Sequence, residues 1–254
     1  MINFRSIGGN DVAQVGKNLL DLTKEIAFSN SPYYYGFFCL NPGEKRYFSS
    51  LSSQTLFFLE NSTKAALALE KEMLFPGDSI QIENDSFWVE ATQGPCFFLL
   101  AGTEKSSSPF PMKTITRKGT HYKVQKPWGH ELWFNGQHLQ YCLKEVMLKK
   151  GQRTSLQYHN YKEETNLLIS GNANLIYKAD PSSLNDDVQP HHLGSHPLSA
   201  ITVIHISPGH LHRLEAVTDL FLYEASTPHL DDVIRVQDDK MRPNGRVVAE
   251  HSPI

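Results

Sequence analysis

Cysteine is scarce: Cys39, Cys96 and Cys142 are widely spaced, each set among apolar neighbours, and no CxxC pair occurs. That argues against a disulfide framework or a thiolate zinc site and for buried free thiols. Long apolar runs are also missing. The longest, such as Thr55 to Leu59 and Cys96 to Ala101, fall far short of a membrane span, and Met1 to Asn10 has no signal-peptide pattern. The expectation is a soluble, cytoplasmic protein with no membrane partner. No basic run accompanies the net charge of -3, so no nucleic-acid partner is expected and a small molecule is.

At 254 residues the chain has room for one large or two ordinary domains with proper cores. Between Asp11 and Ala27, Val12, Val15, Leu19, Leu22 and Ile26 recur at steps of three and four, which predicts an N-terminal helix capped by Asn10 or Asp11. From Tyr33 to Ala101 short apolar or aromatic runs alternate with turn residues, including Asn41-Pro42-Gly43 and Pro76-Gly77-Asp78. That spacing predicts a mainly β domain, a sandwich or barrel, over 1–102. Residues 103–120, rich in serine and proline, read as a linker. A second β unit follows over 121–254, interrupted by a polar excursion from Asp180 to Pro197 that carries His191, His192 and His196, a cluster expected in a solvent-exposed loop. The tail from Thr227 is too polar to predict another strand pair and is expected to wrap back across the domain.

The stretch Gly151 to Gly171 concentrates the chemistry. Gln157 and His159 are two residues apart, so on a strand both side chains leave one face. Glu164 has the wrong parity for that strand, but the polar run Asn160 to Glu163 can turn the chain into an antiparallel partner and return the carboxylate over the same face. His212 follows the tight turn Ser207-Pro208-Gly209 and enters a new strand, Leu211 to Ala216. Two imidazole nitrogens, an amide oxygen and a carboxylate suit zinc, with manganese, iron, cobalt or nickel feasible.

Gly151, Gln157, His159, Glu164 and Gly171, followed by Gly209 and His212, resemble the two-part signature of the cupin barrels, with glutamine where the first histidine often stands. That register favours Glu164 over Glu163 as ligand. Lys126-Pro127-Trp128-Gly129, Ser155-Leu156-Gln157, Ser170-Gly171-x-Ala173, Leu214-Glu215 and the tail Asp231-Asp232-Val233-Ile234-Arg235 are similar to the type II mannose-6-phosphate isomerases over about residues 123 to 242. Lys162 stands where that family usually has arginine, Thr165 for its histidine, Asn166 for its tryptophan and Ala216 for its asparagine. Leu74 to Asp78 resembles a cupin turn as well. The resemblance therefore implies two cupin-type barrels (double-stranded β-helix or jelly roll), the first without histidine ligands and structural or dimerising, with a homodimer as one expectation.

The implied function is a metal-dependent aldose–ketose isomerase of the mannose 6-phosphate/fructose 6-phosphate type, in nucleotide-sugar or surface-polysaccharide metabolism. The ion would stabilise charge on an enediolate, a base would move a proton between C1 and C2, and a cation would hold the phosphate. Arg235 is the first expectation for the phosphate, with Arg153 and Lys162 behind it. Lys144 matches a family lysine expected near substrate. Glu215, His210 and a metal-bound hydroxide remain open as the base. Two competing readings are a non-catalytic sugar-binding bicupin with a structural metal and an iron-dependent cupin dioxygenase.

Overall fold

The computed structural model describes residues 5–7, 10–14, 26–28, 32–48, 53–60, 66–106, 108–136, 140–178 and 193–247. Contacts divide the chain into two units, both discontinuous in sequence. One comprises Leu22–Tyr122 and Trp133–Lys144, the other Met1–Asp21, Lys123–Leu132 and Glu145–Ile254. In chain order the first strands are β1 (Arg5–Ile7), β2 (Asn10–Gln14), β3 (Ile26–Phe28), β4 (Tyr34–Leu40), β5 (Lys45–Phe48), β6 (Ser53–Phe58), β7 (Ala66–Leu69) and β8 (Glu72–Leu74). Next come β9 (Ser79–Glu83), β10 (Phe87–Gln93), β11 (Cys96–Thr103), β12 (Met112–Thr116), β13 (Tyr122–Lys126), β14 (Gly129–Trp133), β15 (Cys142–Leu148) and β16 (Leu156–Tyr158). The last are β17 (Glu164–Ser170), β18 (Asn172–Lys178), β19 (Gly194–Ser199), β20 (Thr202–Ile206), β21 (Leu211–Ala216), β22 (Leu220–Ser226), β23 (Ile234–Gln237) and β24 (Gly245–Arg246).

The first unit packs a sheet ordered β5-β10-β7-β8 with one ordered β12-β9-β6-β11-β4-β3. In the larger sheet Phe98 on β11 pairs with Phe38 on one side and Phe58 on the other, forming an aromatic rung. Phe38 stacks on Phe98 at 5.3 Å and meets Phe48 edge-on at 5.3 Å, and Phe48 stacks on Phe87 at 5.0 Å. With Leu56, Leu67, Ile80 and Val89 these rings fill the interior with apolar side chains. All three cysteines are free thiols, Cys96 and Cys142 buried.

The second unit pairs the sheet β1-β2-β20-β17-β22-β15-β14-β13 with the sheet β19-β18-β21-β16-β23-β24. Alternation sets its inner face. Ala173, Leu175 and Tyr177 of β18 lie opposite Ala216, Leu214 and His212 of β21. On the other sheet Leu168 faces Leu222, while toward the start of β17 Asn166 faces Glu224 and Glu164 faces Ser226. One end of the interior is thus apolar, built from residues such as Val146, Leu148, Leu168, Leu175, Ile204 and Leu222. The other end is polar.

Four expectations need correction. Asn10–Gln14 and Ile26–Phe28, which overlap the two ends of the predicted helix, are strands, and Asn10–Gln14 joins the second unit by antiparallel pairing with β20; residues 15–25 lie outside the described residues. Available ladder partners override a helical period this short. The expected linker contains β12, which pairs along its length with β9. The end of the polar excursion overlaps β19, which pairs with β18 and carries His196; His191 and His192 lie outside the described residues. The tail supplies β23, which pairs with both β16 and β24. Among the described residues no helix is long and apolar enough to cross a membrane.

Candidate metal centre

Strand β16 is only three residues long, yet it is held on both sides: Gln157 lies opposite His212 of β21 and Arg235 of β23. Directly opposed residues share a face, so Gln157, His212 and Arg235 point into the barrel together. His159 follows with the same parity as Gln157, and the turn before β21 is tied to it by the Gly209 N–H, which donates to the His159 carbonyl at 2.6 Å. Glu164 returns from the loop at the first position of β17.

Ligand atoms of His159, Glu164 and His212, all buried, lie within 4.8 Å of one another. His159 Nε2 is 3.6 Å from Glu164 Oε2, and His212 Nε2 is 3.6 Å from Glu164 Oε1. Donors about 2.1 Å from one ion at tetrahedral angles stand roughly 3.4 Å apart, so this spacing fits a divalent metal. The tautomers fit too. His159 Nδ1 donates to the Asp232 carbonyl at 2.5 Å and His212 Nδ1 to the His210 carbonyl at 3.0 Å. A carbonyl only accepts, which leaves both Nε2 lone pairs facing Glu164. His159 Nε2 is buried with no hydrogen-bond partner, the condition expected of a group whose partner is a metal. Gln157 Oε1 accepts from Ser155 Oγ at 2.7 Å and keeps a second lone pair for the ion.

Burial, reinforced by the Lys162 ammonium, pushes the His159 imidazole down to about 3, keeping it neutral and able to ligate. Burial alone would raise the Glu164 carboxyl, but Lys162, His212 and His159 override it and hold it well below the usual range. Asp232 behaves similarly. Partial burial acts upward on it, while the backbone amides of Tyr161, Lys162 and Asn160 donate to its carboxylate and lower its pKa.

Lys162 is buried between two carboxylates, donating to Glu164 Oε2 at 2.5 Å and to Glu224 Oε1 at 2.6 Å. Asn166 Nδ2 donates to the other Glu164 oxygen at 3.2 Å. Glu224 was absent from the residues expected at the site; its only sequence signal is its place two residues beyond the buried apolar Leu222 on a strand. The remaining candidates are placed less centrally. Arg235 faces the interior, and its Nη1 donates to the Pro243 carbonyl at 2.9 Å. Glu215 lies one residue out of phase with His212, on the outer face, where it accepts from Asn174 at 3.4 Å and forms a bridge with Arg153. Arg153 Nε contacts the Asp239 carboxylate. His210 Nδ1 is paired with the Tyr177 hydroxyl at 2.9 Å. Lys144 is buried in β15, its ammonium 5.1 Å from the Trp133 ring centre.

The family described as mannose-6-phosphate isomerase C-terminal matches residues 113–238. No curated protein matches the chain. Solved structures share its fold over most of its length. Ylba from E. coli is 11% identical, with a TM-score of 0.63 over 90% of this chain and 94% of that one. AerE from Microcystis aeruginosa is 11% identical, with a TM-score of 0.58 over 86% of this chain and 92% of that one. The oxalate decarboxylase of Bacillus subtilis, a protein with Mn(II) centres, is 12% identical, with a TM-score of 0.56 over 92% of this chain and 77% of that one. The triad, the paired sheets around it and the matched segment converge: the chain has the cupin fold, and its residues 113–238 match the mannose-6-phosphate isomerase C-terminal family.

Proposed function

We propose that this cupin is a metal-dependent aldose–ketose isomerase acting on a sugar phosphate of the mannose 6-phosphate/fructose 6-phosphate type. The observation that carries the reading is the buried His159–Glu164–His212 triad with a charged pair, Lys162 and Glu224, directly beside it in the polar end of the barrel. A divalent ion, zinc first and manganese next on the chemistry of the donors, supplies positive charge against the negative charge that builds on substrate oxygen during proton abstraction. His159, Glu164, His212 and Gln157 hold that ion. Lys162 fixes one Glu164 oxygen and Asn166 the other, so the carboxylate stays oriented. Glu224, rather than the outward Glu215, is our choice for the group that moves the proton, with Oε1 as the accepting atom and Lys162 as its donor partner.

Metal-loaded protein in deuterated water is expected to exchange hydrogen at C1 or C2 of these sugar phosphates and to interconvert them, and purified protein to carry one tightly held metal by elemental analysis. A panel of sugar phosphates giving neither exchange nor conversion overturns the isomerase. One observation favours a second reading, a sugar-binding bicupin with a structural metal: Lys162, Arg153 and Arg235, the expected phosphate anchors, each already contact protein acceptors. His212→Ala separates the two, since it removes metal and activity from an enzyme but chiefly lowers stability where the metal is structural.

A further inference from the structure

Between the ligands His159 and Glu164 the chain crosses a polar loop with an exposed tyrosine, Tyr161. Nothing in that composition fixes a loop, yet two metal ligands depend on its path. The residues that fix it come from the tail. The carbonyl of Asp232 accepts from His159 Nδ1 at 2.5 Å, and its carboxylate Oδ2 accepts from the backbone N–H of Tyr161 at 2.5 Å and of Lys162 at 2.9 Å. At the far end of the loop the Thr227 N–H donates to the Glu163 carbonyl at 3.0 Å, and Thr227 Oγ1 accepts from the Glu163 N–H at 3.1 Å. Asp232 itself is anchored, because its N–H donates to the His229 carbonyl at 3.2 Å and Ile234, two residues on, pairs with Tyr158.

We propose that Asp232 is a positioning residue of the metal centre, clamping the ligand loop through its carboxylate while its carbonyl orients the His159 ring. One residue thereby sets the direction of His159 Nε2 and the start of Lys162, whose ammonium orients Glu164. Its neighbour Asp231 is exposed and serves as the control. The inference extends the metal centre on which the isomerase reading rests, but its readout needs no substrate.

The test is a competition titration of zinc against a chromophoric chelator on the purified full chain, with the melting of metal-free protein measured alongside. Asp232→Ala is expected to weaken zinc binding about 10- to 100-fold, the usual range for loss of a group that orients a ligand. Asp232→Asn, which keeps one oxygen acceptor, is expected to fall between it and the native chain, and Asp231→Ala to bind as the native chain does. The absorption bands of cobalt-loaded Asp232→Ala are expected to shift, which loss of stability alone does not cause. Where Asp232→Ala fails to fold, Asp232→Asn carries the test. Native zinc affinity in whichever of the two folds overturns the proposal, as does a native chain that takes up no metal. A chain that binds zinc as described but isomerises nothing leaves it standing.

Discussion

Lys162→Met is the sharpest perturbation the centre offers. In the native chain one ammonium serves two carboxylates whose side chains are each 7% exposed, Glu164 and Glu224. Methionine keeps a four-atom stem like that of lysine and lacks the terminal ammonium, so the charge and its donors are removed. Breaking a buried ion pair by deleting one partner costs about 3–5 kcal/mol, because the remaining charge is stranded away from water. Here two carboxylates are stranded, so the upper part of that range is expected for metal-free protein, a fall of roughly 10 °C or more in the melting of the metal-bearing unit. A divalent ion on Glu164 supplies positive charge that the substitution took away. Metal should therefore raise the melting temperature of Lys162→Met by more than it raises that of the native chain. Acidification should also rescue the metal-free variant, since protonating a stranded carboxylate removes the charge that destabilises it. Calorimetry with and without zinc, at neutral and acid pH, measures all three. A metal-free variant within about 1 kcal/mol of native, the scale of an exposed pair, would refute the reasoning.

Three further outcomes follow from the same structure. The two glycines that bracket the ligand motif should respond differently to alanine. At Gly151, φ is +74° with nothing near an added Cβ, so about 1–2 kcal/mol of backbone strain is expected. At Gly171, φ is +92° and the Cβ would lie 2.3 Å from the Asp219 carbonyl oxygen, so the loss should exceed about 3 kcal/mol in denaturant titrations. Glu224→Gln should keep its metal by elemental analysis while isotope exchange falls about 100- to 10,000-fold, the share a positioned acid–base group supplies; unchanged exchange removes Glu224 from the proton path. In the first unit His121, whose Nε2 meets Ser79 Oγ at 2.9 Å, is lowered from 6.5 by burial, against the opposing pull of Asp78 and Glu60. Just below that pH the unfolded chain takes up a proton that the folded one refuses, so stability should fall as pH drops through 6.5. His121→Asn should weaken that dependence in denaturation curves taken on either side of it, leaving the share that His159 contributes.

Strand parity made much of this centre legible, and parity also explains what escaped. Gln157 and His159 could be placed on one face because they lie within one short stretch, and Glu164 because the intervening residues are those that turn a chain. Glu215 was kept open as the base against that same parity: on the strand Leu211–Ala216, a histidine ligand at 212 forces 215 outward. Lys162 was expected as a phosphate anchor, and its place between Glu164 and Glu224 escaped for the opposite reason. A lysine in a polar loop reads as solvated until its partners are known, and Glu224 comes from a strand 62 residues later with no local motif to announce it. Strand β23 escaped because hydrophobicity finds strands that cover apolar interiors. Its inward residue Arg235 lies opposite Gln157, at the polar end of the barrel, so its inner face carries charge where a core strand would carry valine or isoleucine. A tail that closes over a metal centre is therefore disguised by the chemistry it serves. The Asp232 side chain is the part of that disguise that a titration can remove.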